Sequence, residues 1–261
     1  MNPIELNLFS SRLEAICEQM GEVLRNAAFS PNIRDRLDFS CAIFDAKGNL
    51  SAQAAHIPVH LGSMAFAMAS IVSEIQWSAG DQVILNDPYL GGTHLPDVTL
   101  IAPVFSSGQL IAFIVNRAHH ANIGSETPGS MPVSSFLHEE GIVISPQHLY
   151  RGGENNPEVM IELLSKLGSD EATGDFSAQV SANRFGAAVL QNLIADMGEQ
   201  QYLDGLQALN AYANRLAAGA IETIPDGVYV FEDFMDDDGQ ENKNIRIRLK
   251  LSIKQGTVNA D

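Results

Sequence analysis

DQVILNDPYLGGTHLPDVTLIAPVF, residues 81–105, combines short apolar runs with a glycine-rich loop, and this combination predicts buried strands joined by a loop. Residues 82–85 and 98–105 are apolar runs of the length that predicts buried strands. Residues 86–97 lie between them and contain two prolines and a Gly-Gly pair, so they predict a loop. A further strand over 109–116 follows a Ser-Ser-Gly turn, which predicts an antiparallel hairpin.

The flanking sequence alternates between helical and strand patterns. An apolar stripe at spacings of three and four predicts an N-terminal helix, with Asn2 as its cap and Glu5 completing a capping box. Residues 39–45 and 50–54 predict a hairpin, and residues 60–77 predict a helix. Residues 32–38 are expected to form a polar loop, and residues 142–144 a short strand in a turn-rich stretch.

The second half of the chain changes character twice. Three successive apolar stripes predict three helices, and Pro225-Asp226-Gly227 ends them. The remaining sequence reads as strands of a meander, in which Asp236-Asp237-Asp238-Gly239 is a hairpin turn. We therefore predict an α+β fold with mixed or antiparallel sheets and a helical segment in the second half.

These changes suggest three regions. Residues 1–153 form an α+β region with the chemistry-bearing side chains, residues 154–224 a helical region, and residues 225–261 the start of a β-rich region. Because strand-like sequence runs to the end of the chain, we expect the last sheet to be incomplete and to continue in a longer polypeptide.

Composition excludes several classes of protein. The 261 residues are 45% hydrophobic, which excludes a disordered chain, and two cysteines are too few for a disulfide scaffold. A formal charge of −17 argues against nucleic acid or an anionic membrane as the main partner. We see no signal peptide and no apolar run long enough for a membrane span, so we expect a cytoplasmic enzyme or subunit.

All seven histidines lie between His56 and His148, and two groups among them suggest a metal site. His94-x-x-Asp97 lies in the glycine-rich loop, and His119-His120 follows the strand 109–116. Imidazole and carboxylate together are typical ligands of Mn, Fe or Zn. The alternative is that the histidines bond loop carbonyls and that Asp97 caps a turn.

Other candidate residues are less specific. Asp38 could be a further metal ligand or a base, but the residues alone favour a salt bridge with Arg34 or Arg36. His60 could line a pocket, and Glu139 in His138-Glu139-Glu140 could supply acid–base chemistry or belong to an exposed charged turn. No Gly-Lys-Ser/Thr phosphate loop is present, so the chain has no recognisable ATP site.

Several phrases in order resemble one protein family. They are RLDFSCAIFDAKGNL (36–50), HIPVHLGSM (56–64), DQVILNDPYLGGTHLPDVTLIAPVF (81–105), NRAHHANIGSETPGSMP (116–132), HEEGIVISP (138–146), SANRFG (181–186) and PDGVYVFEDFMDDDG (225–239). These phrases resemble the hydantoinase B/oxoprolinase family and extend over nearly the whole chain. Because family members are longer, the resemblance also supports the expectation of an N-terminal portion.

The resemblance assigns roles to particular residues. It implies a divalent metal held by His94, Asp97 and His119, with Asp38 as a further ligand or catalytic carboxylate. His120 is then expected to orient a ligand or to contact substrate as a catalytic or substrate-binding residue. His60 becomes a candidate substrate-binding residue, and Glu139 a candidate catalytic residue.

The resemblance also implies an activity and a partner. We expect the metal-binding catalytic subunit of an ATP-dependent cyclic-amide hydrolase, in which a metal-activated water attacks the carbonyl. A hydantoinase A-type ATPase subunit would activate that carbonyl with ATP, so a hetero-oligomer is expected. The alternatives are a subunit of an acetone-carboxylase-type enzyme and a non-catalytic assembly subunit with a structural histidine cluster.

Overall fold

A computed structural model describes residues 1–55, 57–127, 129, 132–167 and 170–261. The chain divides into two compact units, Met1–Leu206 and Gln207–Asp261. Both units contain an antiparallel sheet, and the first adds a set of helices. The predicted α+β class is therefore confirmed, whereas the three regions bounded at residues 153 and 224 stay a prediction.

The first unit is built on a seven-stranded sheet with the order β2-β1-β5-β4-β3-β6-β7. Each neighbouring pair of described strands is antiparallel. The strands are β1 (Phe39–Asp45), β2 (Leu50–Ala55), β3 (Gln82–Leu85), β4 (Asp97–Ser106), β5 (Gln109–His119), β6 (Gln147–Arg151) and β7 (Glu154–Asn155). The hairpin predicted from residues 98–116 is thus the β4–β5 pair at the centre of the sheet.

Helices cover both faces of this sheet. They are α1 (Pro3–Ala27), α2 (Pro31–Arg34), α3 (His60–Ile71), α4 (Pro157–Leu167), α5 (Asp170–Met197) and α6 (Glu199–Glu222), of which α6 extends into the second unit. On one face, Met64 and Met68 of α3 share a core with Ile101 of β4. On the other, Phe176 and Val180 of α5 share a core with neighbouring β4 residues.

Alternation along the strands explains how two cores form on one sheet. Successive side chains of a strand point to opposite faces, so residues two apart share a face. In β4, Ile101 belongs to the α3 core, whereas Val98 and Leu100 belong to the α5 core. The central strands are buried on both faces, and this is why they read as continuous apolar runs in the sequence.

The N-terminal helix begins where the sequence predicts. The Asn2 side chain accepts hydrogen bonds from the amides of Ile4 and Glu5, and the Glu5 carboxylate accepts one from the Asn2 amide. This capping box satisfies amides that have no partner within the helix. The apolar stripe from Phe9 to Leu24 is buried, as the spacing predicts.

Three local predictions differ from the structure. Helix α3 ends at Ile71 rather than at residue 77, and Pro31–Arg34 forms one helical turn inside the predicted polar loop. Residues 142–144 form no strand, although the Ile144 amide and carbonyl bond Asn86. The strand lies at Gln147–Arg151, where alternating polar side chains obscure the apolar pattern.

The second unit contains a three-stranded meander of β8 (Gly227–Asp237), β9 (Lys243–Lys254) and β10 (Thr257–Ala260). The predicted hairpin turn begins later than expected: Asp236 and Asp237 still belong to β8, and the chain turns after Asp237, whose carboxylate accepts a hydrogen bond from the Gly239 amide. No described helix is both long and apolar enough to cross a bilayer.

Candidate metal centre

The sheet brings the predicted ligands together at one end of its central strands. Asp97 is the first residue of β4 and lies directly opposite His119, the last residue of β5. Asp38 immediately precedes β1, and its carbonyl accepts a hydrogen bond from the His119 amide at 3.0 Å. Three neighbouring strands therefore each supply one residue of a single row.

His94, Asp97 and His119 form a compact group. The His94 Nε2 lies 3.3 Å from the Asp97 Oδ1, and the His119 Nδ1 lies 3.4 Å from the same oxygen. The two ring nitrogens are 3.0 Å apart. One donor atom from each residue lies within 4.8 Å of the others, so all three could contact one cation.

A second group shares Asp97 with the first. His60, the first residue of α3, places its Nε2 3.5 Å from the Asp97 Oδ2. The Asp38 Oδ2 lies 3.6 Å from the His119 Nδ1. Asp38, His60 and Asp97 again offer one donor atom each within 4.8 Å, so the two groups together place four side chains around the Asp97 carboxylate.

Unsatisfied polar atoms at this position fit a bound cation. The His60 Nε2, Asp97 Oδ1 and His119 Nε2 are buried and have no hydrogen-bond partner among the described residues. Buried polar atoms normally have partners, because leaving them without one costs about 1–3 kcal/mol each. Imidazole nitrogen and carboxylate oxygen are ligands of Zn, Mn and Fe, so a divalent ion beside Asp97 would satisfy the His60 Nε2 and the Asp97 Oδ1, whereas the His119 ring faces Asp97 through its Nδ1.

The charges keep the central carboxylate ionised. Burial acts to raise the pKa of Asp97, but the imidazoles of His119, His60 and His94 outweigh it and hold that pKa well below its usual value. The Asp97 carboxylate in turn raises the pKa of His94. An ionised carboxylate beside several imidazoles is the protonation state that a divalent ion requires of its oxygen ligand.

The loop carrying His94 is fixed by close backbone contacts. Gly91 has φ +92°, and a Cβ there would lie 2.4 Å from the Ala67 backbone nitrogen in α3. The Asn86 side chain donates hydrogen bonds to the carbonyls of Leu95, at 2.7 Å, and Ile142, at 2.9 Å. The hydroxyl of Thr93 bonds the Asp97 carboxylate directly. These contacts hold the loop against α3 and the sheet.

His120 lies on the other side of the sheet from His119. Its Nε2 bonds the Gln179 Oε1 at 2.8 Å, and its ring packs on Phe176, both in α5. Burial lowers the pKa of His120, which favours a neutral imidazole. The structure therefore does not bring His120 into either ligand group, since adjacent residues at a strand end point in opposite directions.

Glu139 and Glu140 have different environments. The exposed Glu139 carboxylate accepts hydrogen bonds from the Ser135 and Phe136 amides, and these bonds lower its pKa. The half-buried Glu140 acts electrostatically on His94 and helps to raise the pKa of that histidine. The sequence singled out Glu139, and only its adjacency in the His-Glu-Glu run pointed to Glu140.

Among the described residues, Asp38 forms no salt bridge with Arg34 or Arg36, the partners that the residues alone favoured. Arg34 pairs with Asp35 at 3.1 Å, and Asp38 instead lies beside His119. Ser40, which the sequence did not single out, bonds the His60 Nδ1 through its hydroxyl at 2.9 Å. This bond leaves the His60 Nε2 as the ring atom that faces Asp97.

Comparison with known proteins places the chain in a family. Residues 2–261 match the family model described as hydantoinase B/oxoprolinase. The chain belongs to the hydantoinase B/oxoprolinase family. The resemblance seen in the sequence phrases is thereby confirmed over almost the whole chain.

Relatives of this hydantoinase B/oxoprolinase chain include enzymes with named substrates. The 5-oxoprolinase of Saccharomyces cerevisiae is 38% identical over 91% of this chain and 20% of its own length. The crystal structure of the ATP-dependent caprolactamase from Pseudomonas jessenii superposes with a TM-score of 0.90 at 26% identity, over all of this chain and 46% of that one. An acetone carboxylase structure shares the fold, with a TM-score of 0.82 at 20% identity over all of this chain and 37% of that one. The chain thus spans less than half the length of each of these proteins.

Proposed function

We propose that this chain is the metal-binding catalytic part of an ATP-dependent cyclic-amide hydrolase. One observation carries the proposal: four imidazole and carboxylate side chains lie around the Asp97 carboxylate, and the buried His60 Nε2 and Asp97 Oδ1 have no hydrogen-bond partner among the described residues. The 5-oxoprolinase and caprolactamase names of its relatives support cyclic amides as the substrate class.

The five side chains of the site have different roles in this proposal. His94, Asp97 and His119 would hold a divalent ion, and Asp38, just before β1, and His60, at the start of α3, would complete its surroundings. A divalent ion in this position would lower the pKa of a water molecule and stabilise the negative charge that develops on an attacked carbonyl. His94 is the most exposed of the three ligands, so the reacting carbonyl approaches from its side.

Glu140 is the stronger candidate for proton transfer in this proposal. Its carboxylate acts electrostatically on His94 and accepts one hydrogen bond, from the Ser134 hydroxyl, whereas the carboxylate of Glu139 accepts hydrogen bonds from two backbone amides. His120 supports the site from the α5 face, where its bond to Gln179 fixes the end of β5 beside His119.

ATP chemistry belongs to a partner in this proposal. The chain contains no phosphate-binding loop motif, whereas the related caprolactamase is ATP-dependent. We infer that a hydantoinase A-type ATPase subunit activates the carbonyl of a lactam, hydantoin or 5-oxoproline ring. The ion-binding residues described above would then serve the hydrolysis of that activated carbonyl.

Metal analysis of the purified chain tests the site. We expect bound Zn, Mn or Fe in the natural protein and its loss in His119→Gln, because that change removes a ligand from the group around Asp97. His148→Gln is the matched control, since His148 also pairs with a buried aspartate, Asp81 at 3.4 Å, but lies outside both ligand groups. Equal metal content in His119→Gln and His148→Gln would contradict the assignment.

Activity measurements with the A-type subunit separate the alternatives. ATP-dependent ring opening of hydantoins, 5-oxoproline or lactams, lost in His119→Gln, is the expected result. Incorporation of bicarbonate into a ketone, without ring opening, would instead identify a carboxylase of the acetone type. A metal-loaded complex that catalyses neither reaction would favour a structural role for the histidine cluster.

A further inference from the structure

Arg117 is a fully buried cation near the end of β5, two residues before His119. Its guanidinium donates three hydrogen bonds to uncharged oxygens: from Nε to the Thr99 Oγ1 at 2.8 Å, from Nη1 to the Ser63 Oγ at 2.6 Å and from Nη2 to the Gly91 carbonyl at 2.7 Å. Buried arginines normally pair with a carboxylate, because burying an unpaired charge is costly. The burial of Arg117 among three uncharged acceptors is therefore unusual, and the position of these acceptors indicates why it occurs.

The three acceptors lie on β4, on the loop before it and on α3, which carry the candidate ligands Asp97, His94 and His60. Thr99 lies two residues after Asp97 on β4, and Gly91 lies three residues before His94 in the loop. Ser63 lies one turn after His60 in α3. Arg117 itself lies two residues before His119, on the same face of β5.

The hydrogen bond from Arg117 to Ser63 continues through the Ser63 hydroxyl to a backbone carbonyl. The Ser63 hydroxyl accepts the Arg117 bond and donates its own proton to the Val59 carbonyl at 3.0 Å. Val59 is the N-cap residue of α3 and immediately precedes His60. The guanidinium is thus connected through one hydroxyl to the backbone that fixes His60.

We propose that Arg117 is the positioning residue of this metal centre: its guanidinium sets the relative positions of the four elements that present His60, His94, Asp97 and His119. The inference rests on the proposed function, because it concerns the same ligand groups. Arg117 lies in the cross-strand row Ser40-Arg117-Thr99, two residues along the strands from the row of Asp97 and His119 and therefore on the same face of the sheet. It acts through these elements rather than by contacting the ion.

The chemistry of arginine suits this task. A guanidinium presents its donors in a rigid planar fork, so three bonds in fixed directions constrain three partners at once, which a lysine ammonium on a flexible stem does not do. Burial lowers the pKa of Arg117 to about 10, while Asp97 acts to raise it, so the group stays charged near neutral pH. Its positive charge also offsets part of the negative charge of Asp97.

Cobalt binding to the full chain tests the proposal. The Co²⁺ affinity, measured by competition with a chelator, and the visible absorption spectrum of the Co²⁺-loaded protein are compared between the natural chain and Arg117→Met. We expect Arg117→Met to weaken Co²⁺ binding by about 10- to 100-fold, the range typical of changes behind the ligands, and to alter the spectrum. Arg117→Lys should recover only part of both properties.

Variants that remove a single bond extend the test. Thr99→Val and Ser63→Ala each remove one acceptor, so we expect smaller losses of affinity than in Arg117→Met. They also keep the proposal testable if Arg117→Met fails to fold. Asn183→Ala is the control for general destabilisation, because Asn183 is a buried hydrogen-bonded residue that contacts the sheet from the α5 face.

The outcomes distinguish the inference from the proposed function. A lower melting temperature with an unchanged Co²⁺ spectrum is expected for Asn183→Ala, and the same pattern in every folded Arg117, Thr99 and Ser63 variant would overturn the positioning role. Natural protein that binds no Co²⁺ would overturn the metal centre itself, and the role of Arg117 with it.

Discussion

Asp97 occupies its position because two structural requirements meet at one residue. It is the first residue of β4, where the strand ladder fixes it opposite His119, and it ends the loop that His94 belongs to. The Asp97 Oδ1 faces the imidazoles of His94 and His119, and the Asp97 Oδ2 faces the imidazole of His60. A carboxylate with two oxygens can serve both groups, which a histidine at this position could not do.

The two cysteines give a prediction about reactivity. Burial raises the pKa of the Cys17 thiol to about 12 and also raises that of Cys41. Because the thiolate is the reactive form, we expect neither thiol to react with Ellman's reagent at about pH 8 in the folded chain. Both should react in guanidinium chloride. Rapid release of chromophore from the folded protein would show that one thiol is accessible and contradict their placement in the core.

The ligand types could be predicted from the sequence, but their surroundings could not. The His94-x-x-Asp97 spacing and the position of His119 after a strand suggested a metal site beside an alternative without metal, the family resemblance favoured the metal, and the structure brings these residues together. The separation of His119 from His120 depends on where β5 ends, which the sequence pattern places three residues too early. The choice between Glu139 and Glu140 depends on a short 3-10 helix, Leu137–Glu139, which has no periodic signal.

Among the elements, the loop between β3 and β4 combines rigidity with exposure. It contains a short 3-10 helix, Pro88–Leu90, which the Asp87 side chain caps by accepting a hydrogen bond from the Tyr89 amide. Gly91 then turns the chain against α3 in a left-handed conformation. This sequence of constraints places His94 at the surface end of the ligand group without a regular secondary structure to hold it.

Gly91→Ala tests how far the ligand group depends on this close approach. The new methyl group would meet the backbone of Ala67, and φ +92° is itself unfavourable for alanine. We expect a lower free energy of unfolding, measured by urea titration, together with weaker binding of the divalent ion. The loss should exceed the cost of the left-handed conformation alone, about 1–2 kcal/mol.

Gly108→Ala is the matched control for that prediction. Gly108 has φ +79° in the β4–β5 turn, and a Cβ there meets nothing within 4 Å. We expect it to show the conformational cost without any effect on metal binding. Equal losses of stability in the two variants would indicate that the contact between Gly91 and α3 contributes nothing.

Elements with strong periodic or capping signals were predictable, and those set by tertiary contacts were not. The α1 helix has both a capping box and a continuous apolar stripe, and its bounds follow from the sequence. Strand β6 has the sequence QHLYR, in which only Leu149 is fully buried, so its pairing with β3 determines its conformation. Helix α3 ends early because Trp77 turns back and donates a hydrogen bond to the Val72 carbonyl.

At the scale of the whole molecule, the second unit has a two-faced sheet. Residues opposite each other in an antiparallel pair share a face. The register pairs Phe231 with Leu249 and Met235 with Ile245 on one face, while Val230 pairs with Lys250 and Glu232 with Arg248 on the other. One face is therefore mostly apolar and the other mixed, and a mostly apolar sheet face normally packs against another layer.

The exposed apolar face predicts how this chain behaves in solution. Phe231, 67% exposed, lies on that face, so we expect the chain to bind the dye ANS and to associate at high concentration. Phe231→Lys should lower both the dye fluorescence and the association measured by sedimentation, because a charge interrupts the apolar surface.

Val230→Lys is the matched control, since Val230 is the adjacent residue of β8, is 53% exposed and belongs to the face that already contains Lys250. It should leave both properties near those of the natural chain. Equal effects of the two substitutions would show that the two faces do not differ in the way that the register requires.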